Sequence, residues 1–307
     1  MSTASVNSSP LEFYKAHGLG NDYLAVEEAD WPELSPAAVR LVCDRHRGVG
    51  SDGILLRVTA GDGFRVRIFN PDGSEAEKSG NGLRIFAAYL LSRGEIDMDE
   101  VATVDTAGGA AEVRVLARDA SGVLDVTVRM GVAAFRNGDV GLHGEDREVV
   151  DEPLPLAGGE RVPIHAVSVG NPHCVVFRDR LDSAELRTLG PALSSHPAFR
   201  AGANVQLARI AGPAAVDALV WERGAGETSA SGSSACAVAA AAVRAGLLRG
   251  PDVEVRMPGG SLAVRVGPGW ELLLRGPVAE VCSGVLSAGL ESRVRAAAPV
   301  PSTPLHA

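Results

Sequence analysis

The stretches FNPDGSEAEKSGNG (69–82) and WERGAGETSASGSS (221–234) align without a gap, setting Phe69 on Trp221, Asn70 on Glu222, Glu75 on Glu227, Ser79 on Ser231 and Gly80 on Gly232. A second pair lies upstream. HGLGNDY (17–23) and SVGNPHC (168–174) each hold a Gly-Asn turn, with Asn21 58 residues before Ser79 and Asn171 60 residues before Ser231. Each serine-bearing corner follows a strand-like run and opens a helix-like one. A helix N-terminus carries unpaired backbone N–H groups and a partial positive charge. Two such termini facing each other across a cleft would hold a carboxylate by amides at both ends. Ser79 and Ser231 would then lie on opposite faces of the carbon that bears it. That geometry suits removal of a proton from one face and return of one to the other. A space closed to water strengthens the dipoles acting on the developing carbanion.

Placing two such corners calls for two lobes of the same architecture sharing one cleft. The alternating, β-branched run FRVRIF (64–69) predicts a strand, and VEVRM, LAVRV and WELLLR (253–275) predict a closing meander with Gly-Pro turns. Helices are predicted at 36–46, 80–93 and 233–247, with a fourth at 182–189. GLRIFAAYLLSRG spaces its apolar residues helically and ends on Gly94 as a C-cap would. The Ala-dominated ACAVAAAAVRAGLLRG (235–250) predicts a tightly packed central helix. Residues 1–10 and 284–307 read as tails, 11–136 as the N-terminal lobe and 137–283 as the C-terminal lobe. The polar, Gly-rich 137–160 is the crossing between lobes, and the C-terminal strands could complete either one.

The chain has 307 residues, enough to bury a large core, and 46% hydrophobic with 22% charged residues marks an ordinary globular composition. With 38 acids against 29 bases the formal charge is −9, and no basic run stands out, which argues against nucleic-acid or anionic-membrane partners. No stretch approaches eighteen uninterrupted apolar residues, and the start MSTASVNSSP has neither basic nor apolar signal regions, so the cytoplasm is expected. Four scattered cysteines, without C-x-x-C or a histidine at zinc spacing, predict neither a disulfide framework nor a structural metal. Gly48, Gly50 and Gly53 fit G-x-G-x-x-G by letter. They follow a helix-like run and precede a strand-like one, the reverse of the dinucleotide fingerprint, so nucleotide binding is rejected. Cys236 is expected to be a packing thiol and Cys174 to point away from the site. His17 and His46 are expected to be hydrogen-bonding residues of a turn and a helix end, and the Asn7 sequon has no secretory context.

Six stretches carry a resemblance: FYKAHGLGNDYLAVE, CDRHRGVGSDGILL, FNPDGSEAEKSGNGLR, VSVGNPHCVV, ANVQLARI and ERGAGETSASGSSACA. In this order, over about 11–283, the chain resembles the diaminopimelate epimerase family of pyridoxal-phosphate-independent amino-acid racemases and epimerases. The resemblance implies an α/β (α+β) fold of two pseudo-symmetric lobes, each a curved sheet or barrel around a central helix, with the active site in the cleft. It implies a homodimer, no cofactor, and a place in amino-acid metabolism, in the family's case lysine biosynthesis. Asn21, Asn70, Asn171, Asn204, Glu222 and Arg223 match the family's substrate-binding positions. Gly80, Asn81, Gly232 and Ser233 match the groups that cradle the reacting α-carboxylate. Asn70, Asn171, Asn204 and Arg223 imply a substrate with a charged amino-acid head at its far end, and Asp52 is implied to be structural. His173 and Glu222 match groups beside the catalytic pair.

At the centre the chain departs from the family. Where the family has a cysteine in each lobe, this sequence has Ser79, in SGNG, and Ser231, in ASGSS, and Ser234 replaces the last glycine of the second motif. A thiol with an ordinary pKa of about 8.5 needs a shift of one or two units to act near neutrality. An alcohol lies closer to the roughly 15.7 of water. Closing a gap of about seven units takes on the order of 9–10 kcal/mol, and a helix terminus supplies about 0.3–2 kcal/mol. Serine bases work when another group takes their proton, and His173 and Glu222 are the candidates. Three readings follow: an epimerase or racemase with relayed serines, a one-base isomerase or lyase using His173 or Glu222, or a silent amino-acid-binding homologue.

Overall fold

The computed structural model describes residues 9–60 and 63–298. The first half runs β1 (Glu12–Gly18), β2 (Asn21–Glu27), α1 (Pro36–Cys43), β3 (Ile54–Ala60), β4 (Gly63–Phe69), β5 (Glu75–Ala76), α2 (Gly80–Ser92), β6 (Val101–Thr106), β7 (Gly109–Arg118) and β8 (Leu124–Val132). After β9 (Glu152–Pro155) the order recurs. It runs β10 (Arg161–Ser168), β11 (Pro172–Phe177), α3 (Ser183–Ser194), β12 (Asn204–Gly212), β13 (Ala215–Glu222), β14 (Gly226–Thr228), α4 (Gly232–Arg244), β15 (Asp252–Met257), β16 (Gly260–Val266) and β17 (Glu271–Val285). A last helix, α5, spans Ala288–Ala297.

The repeat holds to the residue. Phe69 lies opposite Glu75 across β4 and β5, and Trp221 opposite Glu227 across β13 and β14, as the gapless alignment requires. Parallel pairs also match: β2 with β3 and β4 with β6 in the first half, β11 with β12 and β13 with β15 in the second. This is the expected pair of pseudo-symmetric α+β lobes.

In the first lobe β1, β2, β3, β4, β6, β7, β8 and β17 close an eight-strand barrel around α2. The second lobe wraps β10 to β13, β15, β16 and β17 around α4. Its ring closes through residues just past β8, where Ala134 bridges Ser168 and the Ala133 N–H donates to the Trp270 carbonyl. The last strand of each half therefore completes the ring of the other. β17 pairs with β1 and β8 of the first lobe and with β16 of the second.

Packing explains the element types. β16 alternates Leu262, Val264 and Val266 inward with exposed residues between. α2 and α4 are enclosed by sheet, so both are apolar nearly all round, and α4 is built of alanines that let its barrel close tightly. Outside the barrels, α1 and α5 cover the first lobe and α3 the second, each over its own apolar layer. No helix among the described residues is long and apolar enough to cross a membrane.

Three expectations change. The stretch 137–160 is not a bare crossing, because Val140, Leu142, Val149 and Leu154 are buried in the outer layer of the second lobe. The helix expected at 182–189 runs on to Ser194. Over 284–297 the expected tail is replaced by the end of β17 and by α5, whose Leu290 and Val294 pack under α1, while 299–307 lie outside the described residues. Its signal was the four-residue spacing of Leu286, Leu290 and Val294 around the capping Ser287, hidden in Ala/Arg-rich text. Of the tail expected at 1–10, residues 1–8 lie outside the described residues. Leu290→Ala should lower the unfolding free energy in urea by about 2 kcal/mol, at the low end for a buried leucine. A change below about 0.5 kcal/mol would mean that α5 contributes nothing to the fold.

Candidate active site

The two central helices meet tip to tip. Ser79 caps α2 and Ser231 caps α4 with nearly equal backbone angles, φ −137°, ψ 118° and φ −148°, ψ 126°. The Ser79 Oγ accepts the Gly82 N–H at 3.0 Å and the Ser231 Oγ accepts the Ser234 N–H at 3.5 Å, as N-caps do. Glycine follows each serine because there is no room for more. A Cβ on Gly232 would lie 3.5 Å from the Gly80 Cα and 2.9 Å from Leu274 Cδ2, and one on Gly80 would lie 2.9 Å from the same leucine carbon. Both serines face one cavity of about 920 Å³, walled by both lobes.

That cavity gathers nearly all the residues singled out from the sequence. Asn21, Asn70 and Asn81 enter from the first lobe, and Asn171, Asn204, Glu222 and Arg223 from the second, with Gly80, Gly232 and Ser233 at the helix tips. Asn81 is fixed by donating to the Asn21 carbonyl at 2.8 Å and to Asn21 Oδ1 at 2.7 Å, and Asn21 donates to Asp52 at 2.9 Å. Asp52 is bound in turn by Arg45 at 2.7 Å. Asn204 accepts the Arg223 N–H at 2.9 Å and donates to the Pro172 carbonyl at 3.2 Å. Arg223 and Glu222 thus present opposite charges side by side. Asn70 lines the wall while its amide donates to Ser74 within its own turn, at 3.0 Å.

His173 differs from expectation. It is fully buried behind the cavity wall and touches neither serine. Its Nδ1 accepts from Gln206 at 3.0 Å, which leaves the proton on Nε2 to be donated to Asn171 Oδ1 at 2.9 Å. Burial pushes the ring down to about 3, so it stays neutral and orients Asn171 instead of taking a proton. Glu222 lines the cavity together with Ser231. Burial pushes its carboxyl above the usual range, a hydrogen bond from Ser231 pulls it down, and the Asp52 charge pushes it up.

Several site residues were not foreseen. The Tyr23 hydroxyl lies 3.4 Å from Ser79 Oγ, in the position that His173 holds in the other lobe, two residues after the turn asparagine. Lys78 also lines the cavity, donating to the Met130 carbonyl at 3.3 Å, with its ammonium pushed down by burial. Gln206 bridges His173 to Ser234 at 3.0 Å. Arg84, on α2, is fully buried and donates to Asn81 Oδ1 at 2.9 Å. Adjacency to Ser79 and Asn21 was the available signal for Lys78 and Tyr23; Gln206 and Arg84 gave none. The buried side-chain atoms without a partner among the described residues, Arg84 Nε, Gln206 Oε1 and Thr228 Oγ1, all belong to this region. Unsatisfied groups of that kind are rare away from functional sites. Burial pushes both the Cys174 and Cys236 thiols up to about 12, so neither substitutes for the missing thiolate.

Known proteins place this arrangement. The model of the diaminopimelate epimerase family matches residues 13–136 and 165–274. Diaminopimelate epimerase 2 of Nostoc sp. is 41% identical over 280 residues, 90% of this chain and 96% of that protein. The diaminopimelate epimerase of Pelotomaculum thermopropionicum is 40% identical over 278 residues, 89% of this chain and 98% of that one. Among solved structures, a probable proline racemase from Agrobacterium radiobacter shares the fold with a TM-score of 0.68 at 17% identity, over 91% of this chain and 93% of that one. A hydroxyproline epimerase from Agrobacterium vitis does so at 0.66 and 15%, over 90% of each.

The neutral imidazole leaves a mark on stability. The folded-state value of about 3 lies below the roughly 6.5 of an unfolded chain, so between them the unfolded state binds the extra proton. Stability from this residue is complete above about pH 6.5 and is lost as pH falls toward 3, by at most about 1.4 kcal/mol per unit. His173→Gln should lose that part of the pH dependence in denaturant titrations. An imidazole NMR signal titrating near 6.5 would contradict the burial.

Proposed function

The chain belongs to the diaminopimelate epimerase family, and we propose that it works as a cofactor-independent amino-acid epimerase or racemase through Ser79 and Ser231. One observation carries the reading: two serines with matching cap geometry crown two helix tips that meet at the floor of one cavity. In this reading the α-carboxylate accepts from the amides of Gly80, Asn81, Gly232 and Ser233. Those dipoles then take up the charge that develops as the α-proton leaves. Ser231 Oγ removes the proton while passing its own to Glu222, which lifts the burden an isolated alcohol could not carry. Ser79 returns a proton on the opposite face.

Asn70, Asn171, Asn204 and Arg223 hold the far end of the substrate. The Arg223 cation together with the amides of the three asparagines favours an amino acid whose distal end carries both an ammonium and a carboxylate. Diaminopimelate, which names the curated relatives, has that form, and we take it as the first substrate to test. The proposal includes a cytoplasmic homodimer, as the family resemblance implies.

Incubation in deuterated water with L,L- and meso-diaminopimelate and a panel of amino acids, followed by NMR at Cα, separates the readings. Label entering with inversion supports the proposal. Label entering without inversion, or loss of a β-group, would replace it with a one-base isomerase or lyase built on Glu222. Binding without exchange would replace it with a receptor. Glu222→Gln should lower exchange by about 10²- to 10⁴-fold, the usual worth of a positioned base. The double variant Ser79→Cys, Ser231→Cys should accelerate epimerisation, because thiols need a far smaller pKa shift in the same pocket.

A further inference from the structure

Resting on the epimerase reading, we propose that Tyr23 is the proton donor serving Ser79, so that the two serines are supplied by different groups and the two faces of the cleft are chemically unequal. The Tyr23 hydroxyl is 3.4 Å from Ser79 Oγ, its ring is buried, and it lines the same cavity. The repeat makes the assignment specific. Tyr23 and His173 hold equivalent places, yet His173 turns to Asn171 and Gln206. Glu222 and Asn70 also hold equivalent places, yet Asn70 turns to Ser74 while Glu222 shares the cavity with Ser231, which draws its carboxyl down. Each lobe therefore keeps one polar partner for its serine, from β2 in the first lobe and from β13 in the second.

Hydrogen-bond capacity then sets the roles. Ser79 Oγ already accepts the Gly82 N–H. When Tyr23 donates into its second lone pair, the serine hydrogen is free to point at the substrate, which makes Ser79 a donor. When Ser231, which already accepts the Ser234 N–H, directs its hydrogen at Glu222, it keeps a lone pair for the substrate, which makes it an acceptor. The charged groups around Tyr23 agree with this division. Burial, and after it the carboxylates of Glu222 and Asp52, oppose a tyrosinate, so Tyr23 rests with its proton in place.

The step balances. On one face the Cα–H bond breaks as an O–H bond forms on Ser231 and the serine's own proton moves to Glu222. On the other, the Ser79 O–H bond breaks, a new C–H bond forms, and the Tyr23 proton refills Ser79. Glu222 ends with one proton more and Tyr23 with one fewer, and exchange with solvent restores both.

The test is the stereochemical outcome of exchange in deuterated water, using L,L-diaminopimelate and whichever amino acid of the panel exchanges fastest. Tyr23→Phe keeps the buried ring and removes only the hydroxyl. For the isomer whose α-hydrogen faces Ser231, label should still enter with retained configuration, within about threefold of the unaltered protein, while inversion falls roughly 100-fold. Glu222→Gln should lose both for that isomer. A purely structural Tyr23 would lower exchange and inversion equally, and that result, or no change in either, overturns the assignment alone. Absence of exchange and inversion in the unaltered protein with every compound overturns the epimerase reading and this assignment with it.

Discussion

Two helix N-termini pressed tip to tip are electrostatically uneasy, since each carries partial positive charge and unpaired N–H groups. The structure sharpens the problem by burying the Arg84 guanidinium beneath them. Arg84 bonds Asn81 and, weakly at 3.5 Å, the Gly80 carbonyl, and no carboxylate among the described residues pairs with it. Burial pushes it down to about 10, which still leaves it charged at neutral pH. A buried cation without a partner is costly. The sharing of charge through Asn81 and Asn21 to Asp52 disperses it only partly. In the proposed reading, a substrate carboxylate at the helix tips supplies the countercharge. Binding and activation of the α-carbon then become one electrostatic event, because the field that holds the carboxylate also stabilises the carbanion.

Such a site tolerates little movement between lobes, and the strand exchange provides the rigidity. β17 pairs with β8 and β16 in its first part and with β1 in its second. The segment after β8 reaches back to β10. The lobes are joined through the barrel walls themselves, directly behind the helix tips, and Leu274 of β17 packs against both capping glycines. Opposite faces of a single carbon can be addressed by groups set this firmly.

Much of this was legible in the sequence because it is written locally. The corners at 69–82 and 221–234 showed the repeat, the caps and the two serines, and the strands and central helices followed from periodicity. What stayed hidden depends on distant partners. The direction His173 takes is decided by Gln206, thirty-three residues further on and fully buried. The contact of Tyr23 with Ser79 joins β2 to a helix cap across fifty-six residues. The exchange of β17 between lobes leaves no local trace, since its alternation serves either barrel equally well. α5 had a local signal, but alanine and arginine around it read as tail.

The central claim is geometric: one α-carbon lies between Ser79 and Ser231 while its carboxylate sits on both helix tips. A crystal structure with α-methyl-diaminopimelate, which has no α-hydrogen to lose at the substituted carbon, tests it most directly. The account predicts the carboxylate within hydrogen-bond reach of amides from both α2 and α4, with the two serine oxygens on opposite sides of the substituted carbon. A carboxylate bound to one helix only, or both oxygens on the same side of that carbon, would contradict it.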